Sequence, residues 1–431
     1  VSNAFTDLMV ARKIEKLKGE FAATHGKRHF IQSLAPFAKS VPALASRQAK
    51  GFDPVDNLLW YANSVDLTTT TNHGVTMSAS RGLPTGVLAT SIKKILRAGS
   101  YVWIGAVDSA DGLTKVWRAP VTTGTYAWSA PLVSMSTNGG LLGTCMNADG
   151  SYVYIGDYGT PTAAKVWRGS VSTGAFTEVT PTGIVRHVHA IAPDPYNPGH
   201  VWMTTGDSGA RTYRSTNYGQ TWSLIDSQWQ SVQISFTEDW VYLAADSGVA
   251  SVLVVDRDTL KTYAATPTWH YEVAVPGGAG SRVVTDLVTT TNSTTVTSAT
   301  ANFTAADVGR RINHSRTADS INYITAVSSS TSATTATASW GAATGLTATI
   351  FGDQFFDKAF FGAVDPATGI YYCIANDSSG KGTRSGLFML PAPGEPMQLV
   401  QTFSYTISGE MFIGDGYLHS HEVVRPLVSF A

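Results

Sequence analysis

Residues 101–130, YVWIGAVDSADGLTKVWRAPVTTGTYAWSA, and residues 152–179, YVYIGDYGTPTAAKVWRGSVSTGAFTEV, follow one plan. Tyr101 aligns with Tyr152, Lys115-Val116-Trp117-Arg118 with Lys165-Val166-Trp167-Arg168, and Thr123-Gly124 with Thr173-Gly174. The period is about 50 residues, the range of a repeated supersecondary unit. Within each copy, apolar and polar side chains alternate over short runs, which is the period of a strand. Gly, Asp and Thr break the runs where turns are needed. Looser copies start at 200 (HVWMTTGDSGARTYRSTNYGQTWSLI), 240 (WVYLAADSGVASVLVVDRDTLKTYA), 369 (GIYYCIANDSSGKGTRSGLFML) and 410 (EMFIGDGYLHSHEVVRPLVSF), and LLWYANSVDLTTTTNHGVTMSAS (58–80) reads as a first member.

One such unit cannot bury both faces of a small sheet, so the units must pack on one another. The repeat length and strand content predict an all-β chain built as a six- or seven-bladed β-propeller. Only 14% of the 431 residues are charged and the formal net charge is −1, so no global basic signal points to nucleic acid. No apolar run is long enough for a membrane span. The two cysteines, Cys145 and Cys373, lie in apolar strand-like surroundings and read as buried free thiols.

Two stretches depart from the repeat. Residues 1–54 are rich in Lys and Arg; Leu8, Val10, Ala11, Ile14, Leu17 and Phe21 recur at helical spacing. They predict a helical or irregular N-terminal arm that packs on the body or a partner. Residues 284–352 are dominated by Thr, Ser and Ala, with Val296, Phe303, Val308, Ile312, Ile321, Ile324 and Val327 as a small core. They predict a compact β module inserted between a first part of the body, 55–283, and a last part, 353–431.

The stretch RSTNYGQTW (214–222) reads as a hairpin turn: Asn217 for an Asx turn, Gly219 for a positive φ, Trp222 folded back on the strands. Ser215, Asn217, Gly219 and Trp222 resemble the Asp box of sialidase-like, Vps10-like and other BNR-repeat propellers, with Asn in place of the usual Asp. In those families the box is structural, so the resemblance implies a propeller and not an activity. A sialidase site would need three arginines on a carboxylate, an acid/base and a Tyr–Glu pair. Arg118 and Arg168 instead occupy equivalent repeat positions, as structural residues would. A glycan-cleaving enzyme of sialidase-like fold is the competing reading; the main reading is not an enzyme.

The segment TTVTSATANFTAADVGRRI (294–312) and the strands after it resemble a small β module of phage tail and virion proteins. That resemblance implies a virion structural protein of the tail, baseplate, fibre or capsid surface. Its partners would be other virion subunits and further copies of itself, with a host-surface glycan or protein as the contact. Trp128, Trp229 and Trp269 are the aromatic candidates for sugar stacking. His187, His189, His419 and His421 form two His-x-His pairs that would make a metal site if they met. No cofactor is expected otherwise; turns such as Asp108-Ser109-Ala110-Asp111 would be the place for Ca²⁺ but lack the usual loop spacing.

Overall fold

The structure, a computed structural model, describes residues 48–426 apart from 64, 73–75, 136–139, 160–163, 184–185, 207–209, 228–229, 246–251, 261, 264–281, 309, 317–321, 340, 351–357, 367, 377–384, 391–392, 394–397, 404–410, 415–416 and 421–422. Hydrogen bonding arranges the strands in eight antiparallel sheets. The first has three strands, β1 (Gln48–Asp53), β2 (Leu58–Ala62) and β3 (Leu67–Thr70). The second holds β4 (Val87–Ala98), β5 (Tyr101–Asp108), β6 (Thr114–Pro120) and β7 (Val133–Ser134). The third holds β8 (Met146–Ala148), β9 (Tyr152–Gly156), β10 (Val166–Ser170) and β11 (Phe176–Glu178). The fourth holds β12 (Val188–Pro193), β13 (Val201–Thr205), β14 (Arg211–Ser215) and β15 (Ser223–Asp226). The fifth holds β16 (Ser231–Phe236), β17 (Trp240–Ala245), β18 (Val252–Asp256) and β19 (Thr262–Tyr263).

A six-stranded sheet follows, from β20 (Arg282–Thr289), β21 (Ser293–Thr297), β22 (Ile312–His314), β23 (Ile324–Ser329), β24 (Ser332–Ser339) and β25 (Ala343–Ile350). Its strand order is β22-β25-β20-β21-β24-β23. The repeat plan then resumes with β26 (Lys358–Val364), β27 (Tyr371–Asn376), β28 (Ser385–Leu390) and β29 (Gln398–Phe403). The last sheet is β30 (Phe412–Gly414), β31 (Tyr417–Ser420) and β32 (Val423–Pro426).

Burial within a repeat sheet is uneven, and the unevenness explains the packing. Every described residue of β13, β18, β27 and β28 is buried, on both faces. The second strands carry the largest fully buried side chains, Trp60, Trp103, Trp202 and Trp240. The outermost strands β7, β11, β15 and β19 are two to four residues long. Such short edges leave little unpaired backbone for unwanted pairing. Sheets touch their neighbours in chain order through their first strands: β1 on β4, β4 on β8, β8 on β12, β12 on β16, β16 on β26, β26 on β30, with β30 and β31 against β1.

One device recurs in these first strands. The pairing register slips by one residue between Ala49 and Gly51, Ile92 and Lys94, Val188 and Ala190, Ser231 and Gln233, and Ala359 and Phe361. Each slip is a β-bulge that bends the strand and re-aims one side chain. Gly51 shows why the close approach demands a small residue: an added Cβ would lie 1.9 Å from the Ile95 carbonyl oxygen of the next first strand.

Two sequence expectations are corrected. The repeat sheets are hydrogen-bonded separately, and each is open and mostly flat rather than curled and closed, which corrects the expected six- or seven-bladed propeller. The helical arm is also corrected: Gln48–Asp53, placed inside it, is strand β1 paired with β2, and among the described residues only short 3-10 turns and no α-helix occur. Residues 1–47 lie outside the described residues. Alternation drives this end into a sheet because Phe52 and Ala49 have Leu59 and Tyr61 to pack against.

The insert is a folded unit with its own core of Val284, Leu287, Val296, Ala301, Phe303, Ile312, Ile324, Ala333, Ala348 and Ile350. Val308, expected inside, is 43% exposed, and Ile321 lies outside the described residues. The sheet bends until its edges meet: Arg311 bridges Tyr323, and the Ile312 and Ile324 N–H groups donate to Asn322 and Arg310. Asp307 ties the bend. It caps its own 3-10 turn through the Thr304 N–H and takes a two-pronged contact from Arg282, at 2.9 and 2.7 Å. Burial alone would raise its pKa; the hydrogen bonds from Arg282 and the Thr304 N–H, with the charges of Arg282 and Arg310, more than offset that and hold it below its usual 3.8.

Cys145 and Cys373 are both buried and form no disulfide, and burial pushes the Cys373 thiol up to about 12. Because the folded pKa of Asp307 is depressed, its stabilisation is complete above the unfolded value and is lost as pH falls through the folded one. Asp307→Asn is expected to lower stability at pH 7 by about 3 kcal/mol, the cost of leaving a buried cation without its anion. Chemical denaturation at descending pH should show the gap between variant and wild type closing below pH 3.8; a gap independent of pH would refute the linkage.

Candidate functional site

The arginines singled out by the repeat serve as fasteners. Arg118, on β6, lies over the Tyr101 ring at 4.2 Å and donates to the Val171 and Thr173 carbonyls at 2.8 and 3.0 Å, in the turn of the next sheet. Arg168, one repeat on, lies 4.6 Å over Tyr152 and donates to the Tyr218 carbonyl at 2.9 Å, again in the next sheet. Arg214 continues the series over Trp202 at 5.8 Å. A guanidinium is suited to this work because its flat face stacks while its edge donates.

The residues 215–222 form the turn between β14 and β15. Ser215 Oγ donates to Asn217 Oδ1 at 3.0 Å and accepts from the Asn217 and Gly219 N–H groups at 3.2 and 2.8 Å. Asn217 then holds Thr221 by two bonds of 2.9 Å. Tyr218 and Gly219 both have positive φ, 59° and 79°. Trp222 Nε1 donates to the Val179 carbonyl of the preceding sheet at 2.8 Å, so the turn also fastens two sheets. The same bonds recur in the first sheet, where Thr70, Asn72 and Thr76 stand for Ser215, Asn217 and Thr221. Met77 takes the place of the tryptophan and packs on Leu59 and Tyr61. Sequence reading missed this copy because its aromatic is gone; the spacing T-x-N-x-x-x-T was the available signal.

The expected ligand residues do not gather. Trp128 is half-buried, edge-on to Tyr126 at 5.4 Å, and donates to the Gly82 carbonyl. Trp229, Trp269 and His421 lie outside the described residues, and His419 is placed only as a backbone position on β31. His187 and His189 are 3% and 2% exposed. Their rings stack 4.9 Å apart at 18°, with Tyr158 on the same stack, 4.3 Å from His187. The i, i+2 spacing puts both rings on one side of the chain, the pairing register shifts at His189, and Gly206 makes room: a Cβ there would come 1.9 Å from the His189 ring. Parallel stacked imidazoles pack as aromatic discs rather than converge on one ion. Among the described residues no group of three or more His, Cys, Asp or Glu is placed to hold a metal. In the Asp108-Ser109-Ala110-Asp111 turn, both carboxylates pair with Lys115, at 2.8 and 2.6 Å.

What the structure does form is a polar groove of about 470 Å³ between the outer strand of the third sheet and the 217–222 turn of the fourth. Arg168, Thr177, Glu178, Val179, Thr180 and Gln220 line it. Glu178 Oε2 meets Lys165 at 3.0 Å and Oε1 accepts from Thr180 at 2.9 Å. The bond from Lys165, which outweighs the effect of burial, and the bond from Thr180 hold its carboxyl below the usual range. These residues come from two repeats, so no single motif announces them.

No family model matches the chain, and no curated protein matches it. Among solved structures, the Niastella koreensis GH74 enzyme is similar at 13% identity and a TM-score of 0.37, over 84% of this chain and 58% of that one. Regucalcin, a calcium-binding protein from Agrobacterium tumefaciens, gives 13% identity and 0.37, over 58% of this chain and 84% of that one. A puromycin hydrolase mutant gives 12% identity and 0.38, over 56% and 40%. The chain thus spans less than two thirds of the first of these. The resemblances to BNR-repeat propellers and to a phage tail module are corrected: neither the family models nor the curated proteins return either, and the sheets are not curled and closed as the propeller reading required. Short runs such as Thr294–Ile312 match the local needs of any small Thr-rich sheet, a turn glycine and a few apolar seeds, and so do not mark descent.

Arg118→Ala is expected to lower unfolding free energy by roughly 2 kcal/mol, because it removes two charge-assisted bonds and the stacking of a cation on a ring. Urea titration checks it; an unchanged midpoint would remove the fastening role.

Proposed function

We propose that this chain is a non-catalytic contact protein: a stack of sheets that carries an added module and presents a polar surface to a glycan or protein. One observation carries the reading. The insert enters between β19 and β26, yet the sheets on either side of it remain packed, with β16 on β26, Ser235 Oγ donating to the Gly362 carbonyl at 3.0 Å, and Gln233 Oε1 accepting from the Gly362 N–H at 3.0 Å. The body is therefore continuous past the module, which has a separate core and faces rich in Thr and Ser. A module added without disturbing the body suits display or assembly. The groups that chemistry would draw on, Arg118, Arg168, Asp108 and Lys115, are held in structural bonds. A virion surface, with neighbouring subunits as partners, is the narrower form of this proposal.

The full chain is expected to be retained on a glycan array and to release no reducing sugar from the glycans it holds. Release of sugar would replace this reading with a glycan-cleaving enzyme, and absence of retention would remove glycan as the contact.

A further inference from the structure

The groove between β11 and the 217–222 turn is a wide, open depression whose lining sets hydrogen-bond donors beside acceptors. Its volume, about 470 Å³, falls within the span of small-molecule sites, roughly 300–1,000 Å³. One of its donors is held in place before any ligand arrives. Arg168 is clamped by the Tyr152 face and the Tyr218 carbonyl, and that one bond uses one of the five N–H groups a guanidinium carries. Gln220 stands on a turn whose backbone is fixed by its own N–H bond to the Asn217 carbonyl at 3.2 Å, and its exposed amide carries both a donor and an acceptor. Glu178 is an acceptor, anchored by Lys165 and Thr180. Thr177, exposed on β11, adds a hydroxyl, and Val179, whose carbonyl is pinned by Trp222, adds an apolar patch.

We propose that this groove binds one or two rings of a neutral saccharide, taking hydroxyls between the Arg168 and Gln220 donors and the Glu178 and Thr177 oxygens. A sugar hydroxyl both donates and accepts, so a lining that sets donors beside acceptors complements it, and Val179 faces the ring's C–H edge. Glu178 is already paired with Lys165, and Arg168 keeps N–H groups beyond its bond to the Tyr218 carbonyl for a ligand's oxygens. The inference rests on the reading of the chain as a contact protein and names where the contact is made.

The test is a calorimetric titration of the full chain with maltose, lactose, cellobiose and chitobiose, repeated with Gln220→Ala and Thr177→Ala. Both residues are exposed, and unchanged melting temperatures confirm that the variants fold. At least one disaccharide is expected to bind, and each substitution to weaken it about tenfold, the worth of one good hydrogen bond. If the chain is retained on a glycan array but no disaccharide binds, or binding ignores both substitutions, the groove assignment falls and the contact function stands. If array and titration are both empty, the groove assignment and glycan as the contact fall together.

Discussion

A small sheet whose middle strands are buried on both faces is unstable alone. In β13, β18, β27 and β28 every side chain, inward and outward, is removed from water. Fully burying one large apolar side chain contributes roughly 2–3 kcal/mol, and each repeat sheet obtains that gain only when another sheet lies against it. Everything else in the body follows from this need. Tryptophans at matching places in the second strands, Trp60, Trp103 and Trp202, fill the space between sheets. Bulges in the first strands let neighbouring backbones meet, and the glycine at position 51 exists because Ile95 is already there.

Apolar faces do not set how far one sheet slides on another; the polar fasteners do. Arg118 and Arg168 reach out of one repeat into the turn of the next, and Trp222 reaches back from the fourth sheet to the third. Both kinds of contact end on backbone carbonyls, which every residue type supplies. The receiving turn can therefore vary in sequence as long as its path is kept. The path is kept by Gly174 in one turn, φ +80°, and by Tyr218 and Gly219 in the next.

Much of the local structure was legible. The YVWIG and YVYIG runs are strands β5 and β9, the KVWR runs lie in β6 and β10, and the Ser215–Trp222 stretch is a hairpin turn. Alternation and turn chemistry are short-range properties, and short-range properties survive in sequence. Assembly is not one of them. A repeat says that units pack on units, but whether the sheets curl and close depends on twist and crossing, which no side-chain pattern records. The His187 and His189 pair shows the same limit at smaller scale. An i, i+2 spacing on a flat strand suggested two ligands side by side, and the two rings instead stack as discs where the register shifts beside a glycine. The groove was invisible for a further reason: Glu178 and Gln220 lie 42 positions apart and meet only because Trp222 fastens the two sheets.

The groove's chemistry also separates binding from cleavage. Hydrolysis of a glycosidic bond generally requires two carboxyl groups, one protonated at working pH. Glu178 is the single carboxylate in the lining, and its two oxygens are already engaged by Lys165 and Thr180. Its pKa is shifted downward, away from the raised value that a general acid needs. A group so placed is ionised at neutral pH, so it accepts hydrogen bonds and carries no proton to donate to a leaving group. On the proposed saccharide reading, this lining would supply hydrogen bonds to a sugar without the pair of carboxyls that hydrolysis generally uses.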